Sequence, residues 1–250
     1  MPVFEIVTRL GFAARGLMYG AIGWLAIVSG RTEDAKGVID YLGQRAGAVL
    51  VGVMALGFFS YAAWRFLEAW LDTEDHGSDA KGVAIRLGGA GSGLIHLSLG
   101  VAAVLAAFHA RKSGGGDGPE QGAAIALHIP GGEWLLYAAA AVAAGAGIQQ
   151  FRKAWKLKFL RHFKPTAARR RWVGWLGRIG YAARGCVFLA VGWLLVKAAQ
   201  THSAGVAGGI DDALRSLPRL GQLAIAGGLI VFGLFSLTEA AYRRVEAARH

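Results

Sequence analysis

The chain has 250 residues, 54% of them hydrophobic and only 17% charged, with 38 glycines and a formal net charge of +11. A soluble domain of this size carries about 25% charged residues, so the composition excludes an ordinary water-soluble fold. The single Cys186 excludes an intrachain disulfide and a multi-cysteine metal site.

A membrane span takes about 20 mainly apolar residues. Six stretches qualify, at roughly 10–29, 47–70, 87–108, 132–151, 179–199 and 221–242. The first opens with Arg9-Leu-Gly-Phe-Ala-Ala-Arg-Gly and then turns apolar. No small-residue cleavage site follows Trp24, so it is predicted to be kept as a span and not removed as a secretory signal. The second ends with Tyr61-Ala-Ala-Trp-Arg-Phe-Leu-Glu. The third opens with a weaker copy of the first, Arg86-Leu-Gly-Gly-Ala-Gly-Ser-Gly, and a glycine-rich connector at 113–119 follows it. The fourth is alanine-rich and the least hydrophobic. A buried soluble helix is the alternative there, and its five apolar neighbours favour the membrane. Gln149 and Gln150 close it and are expected to face headgroups. The fifth repeats the opening as Arg178-Ile-Gly-Tyr-Ala-Ala-Arg-Gly, and the sixth runs from Gly221.

The repeat is larger than its opening helix. Each odd span is followed by a Gly-x-x-x-x-Leu step, beginning at Gly37, Gly122 and Gly209, and then by an even span. The linkers are expected to form short interfacial helices. Phe66, Phe151 and Tyr242 are read as equivalent positions near the ends of the even spans. The predicted fold is therefore an all-α integral membrane protein, with six transmembrane helices arranged as three parallel helical-hairpin repeats over 1–76, 77–160 and 161–250. Parallel repeats imply a pseudo-threefold axis along the membrane normal. Lysine and arginine divide 19 to 8 between the two sides. By the positive-inside rule the richer side is cytoplasmic, which gives a multi-pass cell-membrane protein with both termini inside.

The Arg-x-Gly-x-Ala-Ala-Arg-Gly openings at Arg9 and Arg178, the Gly-Trp pairs at Gly23 and Gly192, and Tyr61-Ala-Ala-Trp-Arg resemble a bacterial membrane family. That family is catalogued as domain of unknown function 1206. The resemblance implies three two-helix units over nearly the whole chain, and it implies no activity. The middle unit departs from the pattern, with Ser92 in place of Arg15 and Arg184 and with Val101 in place of tryptophan.

The candidate functional residues come from these repeats. Gly16, Gly23, Gly93, Gly100, Gly185 and Gly192 recur in steps of seven, which keeps each pair on one helix face. Small residues let helices approach closely in lipid, so these faces are expected to press on partner helices. A glycine-lined pore is the alternative. Arg15 and Arg184 lie about 9 Å into their motifs. A charge at that depth must snorkel to the headgroups or find a partner. The partner candidates are Glu68 and Glu239, which would clamp the first and third hairpins. A site for an anionic lipid or substrate is a third reading. His96 replaces Tyr19 and Phe188 near mid-membrane. It is either a neutral imidazole bonded to a serine or a carbonyl across the bundle, or a functional group able to change charge near neutral pH.

Residues 152–178 carry ten basic side chains and no acid, interleaved with aromatics. Lys156, Lys158, Arg161, Arg169, Arg170 and Arg171 are expected to contact anionic headgroups on the cytoplasmic side, each contributing about 1 kcal/mol. A plain topology signal is the alternative. Nucleic-acid binding ranks below both, because the bilayer already supplies an anionic surface. No catalytic motif is present, and no cofactor or metal is expected. Two functions fit. One is a structural or accessory protein that packs with itself or with a membrane partner. The other is a small transporter or channel with a central polar site near His96.

Overall fold

Long apolar runs with no internal proline fold as uninterrupted helices, and six of them dominate the computed structural model, which describes residues 2–28, 30, 32–72, 77–108 and 118–244. The spans are α1 (Pro2–Val28), α3 (Ala48–Leu71), α4 (Ala80–Ala107), α6 (Gly132–Lys156), α8 (Arg171–Thr201) and α10 (Arg219–Tyr242). All six are long and apolar enough to cross a membrane. The outer linkers form the short helices α2 (Ala35–Ala46), α5 (Gly118–Leu127) and α9 (Ile210–Arg215), and a single turn, α7 (Pro165–Ala168), precedes α8. Among the described residues there is no strand. Asp34 and Asp79 start α2 and α4 by accepting from the Gly37 and Gly82 amides at 2.6 and 2.8 Å. Gly47, at φ 87°, lets the chain turn sharply from α2 into α3. The connector residues 113–117 and the outer Arg31, Arg111 and Lys112 lie outside the described residues.

The spans lie side by side in the order α6, α8, α10, α1, α3, α4. The tightest pairs are α10 with α1, α3 with α4, and α6 with α8. Each joins the even span of one unit to the odd span of the next. The small-residue faces make these contacts. A Cβ on Gly93 would lie 3.0 Å from the Phe66 ring, one on Gly185 2.8 Å from the Phe151 ring, and one on Gly16 2.9 Å from Leu237. Gly100 meets Phe59, Gly192 meets the Ala140 carbonyl, and Gly23 meets the Ala226 carbonyl and Ile230. The third equivalent of Phe66 and Phe151 is therefore Leu237 and not Tyr242.

Contacts within the hairpins are the second set, and only two of the three exist. In the first unit Gly11 abuts Tyr61 and Gly57 abuts Ala14; in the third Gly180 abuts Phe232 and Gly228 abuts Ala183. The corresponding middle positions are Gly88 and Gly91 on α4, and Val142 and Ala146 on α6. A Cβ on Gly88 or Gly91 would meet nothing within 4 Å, and Val142 is 73% exposed. Among the described residues α4 and α6 are not packed face to face as the other two hairpins are. The reason lies in the side chains. Ala146 stands where Tyr61 and Phe232 fill the other hairpins, and Val142 replaces the glycine that admits the neighbouring helix. The ring is thus open at its middle unit.

The basic segment does not run as one amphipathic helix. It passes from α6 through a 3₁₀ turn (Lys158–His162) and α7 into α8. Phe159 and Phe163 are buried, 5.0 and 5.8 Å from the Phe235 ring, so the expected lipid-facing aromatics here serve the core. Lys156, Lys158, Arg161, Arg169, Arg170 and Arg171 are exposed, as are Trp155, Trp172 and Trp175. Backbone bonds from Lys164 to Tyr242 (2.9 Å) and from Arg244 to His162 (2.7 Å) tie the segment to the end of α10.

Candidate functional site

The register that makes Gly57 equivalent to Gly228 also makes Glu68 equivalent to Glu239, and it puts Lys153 at the same position of α6. The three inter-unit pairs therefore meet in one polar layer, about 10 Å inside the start of the first apolar stretch at Thr8.

Where α10 meets α1, the Arg15 guanidinium is fully engaged. It forms an ion pair with Glu239 and donates to Ser236 Oγ and Tyr61 Oη at 3.1 Å each. The rings of Phe12, Phe232 and Tyr61 lie 4.7, 5.2 and 5.4 Å from it. The second oxygen of Glu239 accepts from Arg243 at 3.0 Å. Arg15 is 7% exposed and Glu239 2%, so it does not snorkel. The acid it meets belongs to the third unit, so the pair clamps two units together and not one hairpin. Where α3 meets α4, Ser92 replaces the arginine, and Arg65 on α3 pairs with the buried Glu68 from the same helix.

The third sector, between α6 and α8, has no acid. Arg184 occupies the position of Arg15, Gln150 that of Ser236, and Lys153 that of Glu239. Among the described residues Arg184 makes no hydrogen bond or ion pair, only ring contacts with Phe232, Tyr19 and Phe188 at 4.7, 5.1 and 5.4 Å. Lys153 is exposed, and its Nζ lies 5.7 Å from the ring centre of Tyr181, one turn before Arg184. Gln150 is 9% exposed, with a buried Oε1 that has no partner. It does not face headgroups; its neighbour Gln149 is the exposed one.

His96 lies one turn deeper than Ser92. Its Nδ1 is 2.8 Å from the Ser92 carbonyl oxygen of its own helix, so the bond does not cross the bundle. A carbonyl only accepts, so Nδ1 carries the hydrogen and Nε2 is left as an acceptor, buried and without a partner. The ring rests on Tyr61 with centroids 4.3 Å apart. Among the described residues no three His, Cys, Asp or Glu side chains gather at metal-binding spacing.

A second polar link lies at the opposite end. Arg215 of α9 donates to Thr32 Oγ1 and to Asp211, each at 2.7 Å. Burial pushes the Asp211 carboxyl above its ordinary range, and the charge of Asp212 adds to the effect.

Ser236, Lys153 and Arg243 are parts of the layer that the motifs did not single out, and Tyr61 and Gln150 stand out in the sequence without a place in it. The signal was the even-span register, which places Lys153 at the level of two glutamates.

Six apolar spans, built from one helix pair repeated three times around a buried charged layer, define a polytopic membrane bundle. The chain belongs to the family described as Domain of Unknown Function (DUF1206), whose pattern matches residues 10–72, 87–156 and 179–243. It is similar to the uncharacterized protein YxxB of Bacillus subtilis (strain 168), 29% identical over 257 residues that cover 98% of this chain and 93% of that protein. No solved structure matches.

Proposed function

We propose that the chain is a non-catalytic, membrane-embedded carrier whose small guest enters the bundle sideways, between α4 and α6. The open middle hairpin carries this reading. Two hairpins are sealed by an aromatic side chain and a glycine contact, and the third lacks both beside a layer of buried charge. The accessory reading relied on the repeated small-residue faces to meet a partner. Gly16, Gly23, Gly93, Gly100, Gly185 and Gly192 instead lie against side chains and carbonyls of this same chain. The 19-to-8 division of lysine and arginine supports an orientation with the polar layer towards the cytoplasm.

The test is to seal the opening with the contacts used elsewhere, as Gly91→Ala/Val142→Gly/Ala146→Phe. Wild type and variant are purified in native lipid, and retained small molecules are identified by mass spectrometry. The wild type is expected to hold a stoichiometric guest that the sealed, still folded variant loses. Equal retention by both would overturn the lateral route. A stoichiometric protein partner with no small guest would return the accessory reading.

A further inference from the structure

We propose that Arg184, Lys153 and Gln150 form a binding site for the phosphate group of an anionic ligand, in the α6–α8 sector of the polar layer. The inference deepens the carrier reading and relies on it only for the route, not for the site.

The argument is one of unequal sectors at equivalent positions. Two of the three inter-unit contacts hold an ion pair, Arg15 with Glu239 between α1 and α10 and Arg65 with Glu68 within α3. The third holds Arg184 and Lys153, with Lys153 at the position that a glutamate occupies in the other two. Neither glutamate is free to cross over. Both oxygens of Glu239 are taken by Arg15 and Arg243, and Glu68 is held by Arg65. Arg184 is half-buried, with the rings of Tyr19, Phe188 and Phe232 as its only contacts among the described residues. Charged groups at membrane depth are expensive unless partnered, and Lys153 brings a second cation and no acid to the sector.

Three features match a phosphate in particular. The guanidinium offers a planar fork that pairs two donors with two phosphate oxygens. Lys153 adds a mobile point charge from the exposed side of the same sector. Gln150 is more than nine-tenths buried and has an amide oxygen without a partner. Its unpartnered oxygen accepts, so it suits a protonated phosphate or a hydroxyl carried by the headgroup, while the NH2 end of the same amide can donate to a phosphate oxygen. The sector also lies about 10 Å inside the first apolar stretch, so an anion that reaches it is one drawn into the bundle below the headgroup level. A lipid phosphodiester and a free phosphate present the same chemistry here.

The experiment uses the full chain, delipidated in neutral detergent, with thermal unfolding followed against ligand concentration. A ligand that binds only the folded state raises the midpoint. The probes are short-chain phosphatidylglycerol, phosphatidylcholine of equal chain length, and inorganic phosphate. Phosphatidylglycerol is expected to stabilise the wild type well beyond phosphatidylcholine. A response to inorganic phosphate as well would mean that the phosphate group alone suffices; a response to the lipid alone would assign the site to a headgroup. Lys153→Glu and Arg184→Gln are each expected to weaken the response about tenfold, the effect of losing one charge-assisted contact. Lys153→Glu supplies Arg184 with the acid the other sectors have, so it should fold even if Arg184→Gln does not. Replacing Arg169, Arg170 and Arg171 together by glutamine removes surface headgroup contacts only and is expected to lower the response less than Lys153→Glu or Arg184→Gln does. No anionic stabilisation of the wild type, an equal effect of phosphatidylcholine, or loss only in the triple surface variant would each overturn the site. If the sealed variant, Gly91→Ala/Val142→Gly/Ala146→Phe, still binds the probe, the site stands and the lateral route falls. A neutral guest retained by the wild type, with no anion response, would leave the route and remove the site.

Discussion

Arg15 and Glu239, 224 positions apart in the sequence, form the ion pair that fastens the first span to the last. Ser236 and Tyr61 take the remaining donors of the guanidinium, so both charges are satisfied without water. Removing either partner leaves the other buried and uncompensated. Arg15→Met and Glu239→Gln should each lower stability by about 3–5 kcal/mol. The double variant Arg15→Met/Glu239→Leu should recover much of that loss. Thermal unfolding in detergent reads all three, and single variants that melt with the wild type would contradict the pairing.

Close helix approach makes a sharper contrast within α1. A methyl group on Gly23 would collide with the Ala226 backbone carbonyl, which cannot rotate away, whereas one on Gly20 would meet nothing within 4 Å. Gly23→Ala should therefore cost about 1–3 kcal/mol, the usual range for overpacking. Gly20→Ala should stay within about 1 kcal/mol of the wild type, since alanine is the better helix former. Equal melting temperatures for the two variants would mean that α1 and α10 sit farther apart.

His96 occupies a site that is aromatic in the other two units. Its hydrogen bond stays within its own helix and its Nε2 has no partner. Removing an unsatisfied buried acceptor should not destabilise the bundle. His96→Phe is expected to fold and to melt at or above the wild-type temperature. A marked drop would reveal a partner for Nε2 that the stacked Tyr61 does not provide.

Asp211 gives a pH dependence with a definite sign. Burial raises its carboxyl above the ordinary value, so the folded state holds this proton more tightly than the unfolded chain. Stability from this group is present at low pH and is lost as pH rises through the raised value. Asp211→Asn, which keeps an oxygen acceptor for Arg215, should gain on the wild type as pH climbs from about 4 to about 7. Melting curves across that range decide it; a gain as pH falls would reverse the assignment.

Much of this architecture was legible in the repeated motif. Six apolar runs, Arg15 and Arg184 at matching depth, and glycines every seven residues follow from spacing alone. The helix order was not legible, because a glycine stripe states that something packs closely and not which helix does so. Gly16 satisfies the same rule against its own hairpin or against α10. The match of Tyr242 to Phe66 failed for a related reason. Both are aromatic and close to a helix end, but the contact with the next unit's glycine belongs to Leu237. Lys153 was hidden in a basic run that reads as surface charge. Gln150 was hidden by its neighbour, since one of two adjacent glutamines on a helix end faces out and the other in. The open middle hairpin rests on Ala146, an alanine within a run of alanines, which becomes informative only when set beside Tyr61 and Phe232.

The pairing of α1 with α10 has a consequence for biosynthesis. A ribosome releases α1 long before α10 has been translated. Until then Arg15 waits in the bilayer without its counter-charge, and the first helix packs on α2 and α3 without α10. Arrival of Glu239 ends that wait, so the last helix to be inserted is the latch that tells a finished molecule from a truncated one.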